Sequence, residues 1–180
     1  MRRSQAFPGW CVRSVSQSKT VGFPVIVASF GRLWHFAQTV LGIIFRHPVT
    51  GTSIIPVLPD GQIVLVRRRD NGKWALPGGM VNWGETIEAT VHRELAEETG
   101  LEVAKIRRLV GIYSDPTRDG RVHSICVVIE VDAIGSLQFK DKIEIQDVRA
   151  FSPADIPLGS LSHDHDRQLK DYFAGLTTLA

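Results

Sequence analysis

The chain has 180 residues, 43% of them hydrophobic and 22% charged, with 21 Lys and Arg against 19 Asp and Glu for a formal net charge of +2. That length suits one domain with a core of its own plus an additional segment, in the composition range of soluble globular chains. The near balance of charge excludes a nucleic-acid-coating tail, and two distant cysteines, Cys11 and Cys126, exclude a disulfide framework or a cysteine zinc site. The expected setting is reducing and cytoplasmic.

In chain order, residues 1–30 read as an N-terminal extension without a fold of its own, carrying Arg2, Arg3, Arg13 and Lys19. The apolar run Val21–Phe45 is interrupted by Pro24, Arg32, His35 and Gln38. Such breaks argue against membrane contact by residues 21–45 and against a signal core. Residues 31–46 are expected to form an apolar, amphipathic helix that packs on the domain or on a partner subunit.

The domain is expected over 47–180. Strands are predicted at Thr52–Leu58 and Gln62–Arg68, joined by a Pro-Asp-Gly turn. "DNGKWALPGG" reads as a loop, and a helix follows from Thr86 to Thr99 with Gly100 as its left-handed cap. "KIRRLVGIYSD" and "HSICVVIEVDAI" read as strands around the turn-rich "DPTRDGR", with a short strand at Val148–Phe151. A last helix is expected from His163 to Gly175, with Ser162 as its N-cap. Intermixed strands and helices indicate an α/β chain with a mixed sheet.

The central helix carries an unusual charge pattern. On a wheel of about 100° per residue, Ile87, Val91 and Leu95 share an arc of about 80°, the core stripe. Glu94 and Glu98 fall inside or beside that stripe, and Glu97 about 80° to one side, rather than on the far face held by Ala89, His92 and Ala96. Like charges placed there repel each other and resist desolvation, so they need a compensating cation. A cluster of carboxylate oxygens selects a hard one, Mg2+ or Mn2+.

The pattern of Gly79, Glu85 and Arg93-Glu94-Leu95-Ala96-Glu97-Glu98-Thr99-Gly100-Leu101 resembles the Nudix box at each defined position. The resemblance runs from about Pro48 to Tyr172. It implies a Nudix-type α/β/α sandwich and Mg2+-dependent hydrolysis of a nucleoside diphosphate linked to another moiety. By the same resemblance Glu94, Glu97 and Glu98, assisted by the carbonyl of Gly78, are the metal ligands, and Glu85 and Arg93 are a structural pair. Gly78, Gly79 and Gly84 belong to the loop. The general base is Glu94 or Glu97 of the box, or Glu144 in "KDKIEIQDVRAF", with Asp147 a weaker candidate.

Substrate is read from other positions. Pro116 stands 15 residues after Leu101, and "SDPTRDGR" is similar to a segment of small ADP-ribose pyrophosphatases, although Gly120 replaces a second proline. Arg118 and Arg121 there, and Arg67 and Arg69 at the end of a strand, are candidates for substrate phosphate or ribose. Strand alternation sends Arg68 the other way. Trp74 reads as packing more than base stacking, while Trp83 and Tyr113 stand open between pocket and core. "SHDHD" at Ser162–Asp166 reads as a helix start rather than a second metal site.

The expected function is hydrolysis of ADP-ribose to AMP and ribose 5-phosphate. The alternatives are a pyrophosphatase for another nucleotide sugar or for RNA 5′ ends, and a non-catalytic nucleotide-binding sensor. The expected partner is a small nucleotide rather than a nucleic acid, with a homodimer as the assembly.

Overall fold

The computed structural model describes residues 47–180 apart from 119, 121 and 139–142, together with residues 38–39, which are helical and exposed. The expected extension over 1–30, the rest of the helix expected over 31–46, and the membrane contact weighed for 21–45 fall outside the described residues. The chain divides after Arg46, and the elements below all lie in the unit His47–Ala180. Among the described residues no helix is long and apolar enough to cross a membrane.

Among the described residues seven strands form one mixed sheet: β1 (Val49–Val57), β2 (Ile63–Arg68), β3 (Trp74–Ala75), β4 (Glu102–Tyr113), β5 (Ser124–Ile134), β6 (Ile145–Phe151) and β7 (Thr178–Leu179). Their order is β3-β2-β1-β5-β4-β7, and β6 pairs with β2. The expected turn between β1 and β2 is present, with the Gly61 N–H on the Leu58 carbonyl at 2.9 Å. The two strands pair antiparallel at the turn end, with Val57 opposite Ile63 and the Leu58 N–H on the Gln62 carbonyl at 2.9 Å. Along its whole length β1 runs parallel to β5, from Val49–Ser124 to Val57–Asp132. The other edge of β1 is taken by the glycine-rich segment after β3, because the N–H groups of Thr52 and Ile54 donate to the carbonyls of Gly79 and Pro77, each at 2.8 Å. That segment, sequence-read as a loop, is wedged beside the sheet and held by backbone hydrogen bonds.

Alternation along β1 and β2 sends side chains to two cores. Ile54 and Val64 meet Val91 and Leu95 of helix α1 (Ile87–Thr99), together with Ile129 and Val131. Ile55 and Leu65 meet Leu169 of helix α2 (His165–Phe173), with Val110, Tyr113 and Val128. One helix on each face makes the expected α/β/α sandwich. Leu95 is fully buried between the sheet and the carboxylates that flank it on α1. Leu95→Ala is expected to cost about 2–5 kcal/mol, seen as a lower urea midpoint at unchanged m-value.

Helix α2 begins later than expected. Asp164 occupies the N-cap without a side-chain cap bond, because its carboxylate is engaged by Arg118 at 2.8 and 3.0 Å. Ser162, the expected cap, instead accepts from Asn71 at 2.9 Å.

Candidate active site on the carboxylate helix

The N-terminus of α1 is fixed by its own sequence. Thr86 accepts from the N–H of Ala89 at 3.1 Å, while the preceding Glu85 accepts from the N–H of Asn82 and the hydroxyl of Thr90, each at 3.0 Å. Two turns on, Arg93 reaches back over this entry. Its Nε and Nη2 donate to the two oxygens of Glu85 at 2.7 and 2.9 Å, and Nη2 also donates to the Met80 carbonyl at 3.1 Å. The guanidinium holds the Glu85 carboxyl at about 2, with the Asn82 N–H helping. Glu85 in turn raises the proton affinity of Arg93. The paired fork therefore joins helix, loop entry and glycine segment.

The glycine segment lies close to that helix. A side chain at Gly79 would overlap the Glu94 carboxylate, and one at Gly78, whose φ is 149°, would overlap the Thr52 carbonyl. Only glycine permits both contacts. Gly84 sits at a φ of 79° in the loop before Glu85.

Glu98 is 5% exposed and accepts from the N–H of Gly78 at 2.8 Å. Burial, against the pull of that N–H and reinforced by the Glu94 and Glu144 carboxylates, pushes its carboxyl up to about 8. Glu94 is raised as well, first by burial and then by Glu97 and Glu144, although Arg93 Nη1 donates to it at 2.7 Å. Glu97 is more open, with Arg93 Nη1 at 3.4 Å. With Glu94 bound to Arg93 and Glu98 to Gly78, no three His, Cys, Asp or Glu side chains converge on one point among the described residues. The donor set nevertheless fits a hard divalent cation: two carboxylates raised by burial and mutual repulsion gain most from a positive charge beside them.

These side chains form one wall of a cavity of about 1010 Å3. Glu144 lines it too, on the segment whose carbonyl accepts from the Arg69 N–H at 2.8 Å. Arg69 and Arg68 both line the cavity, but Arg67 does not; its Nε donates to the Gly72 carbonyl at 2.8 Å. The expected alternation fails because the β2–β6 ladder slips between Arg67 and Arg68, and such a bulge re-aims the side chains that follow it.

Arg118 lines the cavity, yet its side chain is only 9% exposed and is bound to Asp164. Pro116 is exposed and does not line it, and Arg121 lies outside the described residues. Asp147 also does not line it and pairs with Arg149 at 2.8 Å. Trp74 packs edge-on against Phe151, with ring centroids 5.0 Å apart. Tyr113 is buried in the core, its hydroxyl on Asp171 at 2.9 Å, and Trp83 is fully exposed.

Sequence reasoning passed over the opposite wall, which holds Ser53, Ser124, Cys126 and His165. His165 accepts on Nδ1 from the Leu76 N–H at 2.9 Å. Burial pushes its imidazole far below the ordinary value, so the ring is neutral. Ser53 Oγ and the buried Cys126 Sγ are 3.1 Å apart. The partner of His165 is 89 positions away along the chain, so no local pattern announces it.

Known proteins share this architecture. The family profile of the NUDIX domain matches residues 47–172. An ADP-ribose pyrophosphatase of Methanocaldococcus jannaschii is 39% identical over 132 residues, 72% of this chain and 75% of that protein. A putative 8-oxo-dGTP diphosphatase of Bacillus subtilis is 32% identical over 125 residues, 69% of this chain and 80% of its own. The crystal structure of an ADP-ribose pyrophosphatase from Streptococcus suis superposes with a TM-score of 0.61 at 26% identity, covering 74% of this chain and all of that one. The matched span begins at β1 and takes in the glycine segment, the carboxylate helix and both cores, so the chain belongs to the Nudix family of pyrophosphate-bond hydrolases.

Proposed function

We propose that the chain hydrolyses ADP-ribose to AMP and ribose 5-phosphate, using Mg2+ or Mn2+ held by Glu94, Glu97, Glu98 and the carbonyl of Gly78. The observation that carries the metal assignment is Glu98, a carboxylate buried against the sheet with its proton affinity raised. The substrate assignment is supported by the name and 39% identity of the archaeal relative and by the Pro116 resemblance.

A bound divalent ion would neutralise the pyrophosphate oxygens and so admit a nucleophile. The chain's own residues do the rest. Arg93 and Glu85 hold the glycine segment against α1, so that Gly78 and Glu98 keep their places. Glu144 faces the same cavity from another element and is the residue to take the proton of the attacking water. Arg69, on the same wall, offers charge to the phosphates.

The test is a hydrolysis panel of ADP-ribose, ADP-glucose, NADH, 8-oxo-dGTP and triphosphorylated RNA, with phosphate released by a coupled phosphatase. ADP-ribose is expected to be the preferred substrate, and EDTA is expected to abolish turnover that Mg2+ or Mn2+ restores. Preference for 8-oxo-dGTP, the compound in the name of the Bacillus relative, would overturn the substrate and leave the metal assignment. Tight binding of one compound without turnover of any would mark a sensor instead.

A further inference from the structure

The two walls of the cavity differ in kind. One, on α1, gathers carboxylates, while the other, on α2, β1 and the start of β5, brings His165, Ser53 and Ser124 beside His163 and Arg118. Leu76 and Gly78 connect them: the Leu76 N–H donates to His165 and the Gly78 N–H to Glu98. Two residues of extended backbone separate those amides, about 7 Å. That is the scale of the step from a diphosphate to the sugar ring it carries.

His165 is 7% exposed and lines the cavity. Its Nδ1 is an acceptor, which places the proton of the neutral ring on Nε2. That Nε2–H has no hydrogen-bond partner among the described residues. Ser124 is fixed in a similar way: its Oγ accepts from Arg118 Nη1, leaving its own O–H to donate. Arg118 and Asp164 cancel each other's charge through two bonds at 2.8 and 3.0 Å. Two neutral, oriented donors suit oxygen acceptors that are themselves uncharged, such as sugar hydroxyls.

We propose that this wall is a subsite for the uncharged sugar of a nucleoside diphosphate sugar, whose hydroxyl oxygens accept from His165 Nε2–H and Ser124 Oγ–H. The assignment rests on the hydrolysis proposed above and deepens it. It explains how one cavity prefers a sugar-capped diphosphate to a nucleoside triphosphate, whose far end is a charged phosphate. Arg118 is a positioning residue in this arrangement, holding Ser124 and Asp164 rather than substrate.

His165→Asn is the informative variant. Its Oδ1 can still accept from the Leu76 N–H, but its amide stops short of the position of Nε2. Ser124→Ala removes the second donor while Arg118 keeps Asp164. Each is expected to lower kcat/KM for ADP-ribose about five- to tenfold, mostly through KM. Analogues of ADP-ribose lacking one hydroxyl of the terminal ribose supply a check on the unaltered enzyme. At least one is expected to lose a similar factor with wild type and to lose nothing further with the matching variant.

Four outcomes separate the possibilities. Wild-type turnover of ADP-ribose with the variants reduced and a deoxy analogue insensitive to them supports the subsite. Wild-type turnover with unchanged variants overturns the subsite alone. Equal use of every deoxy analogue by wild type overturns it even where a variant fails to fold. Cleavage of triphosphates in place of ADP-ribose overturns both the proposed function and the subsite.

Discussion

Glu98→Gln is expected to lower kcat about a thousandfold, a loss of roughly 4 kcal/mol of transition-state stabilisation, and at the same time to make the metal-free fold more stable at neutral pH. The two effects have one cause. Glu98 is nearly sequestered from water with a single N–H and other carboxylates for company. It therefore prefers to keep its proton in the folded state. Below about pH 4.5 both states are protonated and Glu98 has no effect on stability. Between that value and about 8 the unfolded chain releases the proton and the folded chain retains it. The folded state then binds more protons, so stability falls as pH rises through this window and levels off above it. The accumulated cost is on the order of 4 kcal/mol at high pH.

Glutamine keeps an oxygen for the Gly78 N–H and has no charge to desolvate, so the variant is expected to show a flatter profile. Mg2+ should raise the melting temperature of the wild type increasingly toward pH 8 and do little for Glu98→Gln. Urea titrations at pH 5, 7 and 9, with and without Mg2+, check this. A variant no more stable than wild type at pH 9 would show that the carboxylate is not paying a burial cost, and the case for a cation beside it would weaken.

The parts of this site that could be read from the sequence are those whose cause is local. The Gly100 terminus and the apolar stripe of Val91 and Leu95 are set within one helix, and they appear where spacing puts them; Thr86, expected as the first helical residue, is its N-cap. The pairing of Glu85 with Arg93 is two turns of one segment folded on itself. The misses are non-local. The β1–β2 ladder stays short because the glycine segment, some 25 residues downstream of β1's centre, takes the same strand edge with two backbone hydrogen bonds. A turn signal cannot show that competition. The cavity arginines are Arg68 and Arg69 because β2 slips against β6, a strand about 80 positions further on.

The α2 side of the cavity was the least legible part. In the sequence "SHDHD" reads as the start of a helix, with no partner assigned to any of its members. In the folded chain its members separate: Asp164 meets Arg118, His165 meets Leu76, and Ser162 meets Asn71. Each partner comes from a different loop. Composition and periodicity carry no information about which of these pairs forms, because the choice is made by packing of α2 on the sheet.

Arg93→Lys carries the second large effect, a fall in kcat/KM of about a hundredfold with little change in metal affinity. Lysine keeps the charge but not the fork. Arg93 makes five contacts, two to Glu85 and one each to Glu94, Glu97 and the Met80 carbonyl. A single ammonium cannot satisfy Glu85 on both oxygens and still reach Met80. The glycine segment would then lose its tie to α1, and Gly78 and Glu98 would drift relative to each other. Metal affinity should hold because Arg93 competes with a cation for Glu94, so weakening its grip on that carboxylate offsets the looser backbone. Glu85→Gln removes the other half of the same clamp and should give a loss of similar size. Since the two changes break one interaction, the double variant is expected to be little worse than either single one. Fully additive losses in kcat/KM would instead mean that Arg93 acts on the substrate directly, and the clamp would not be its main role.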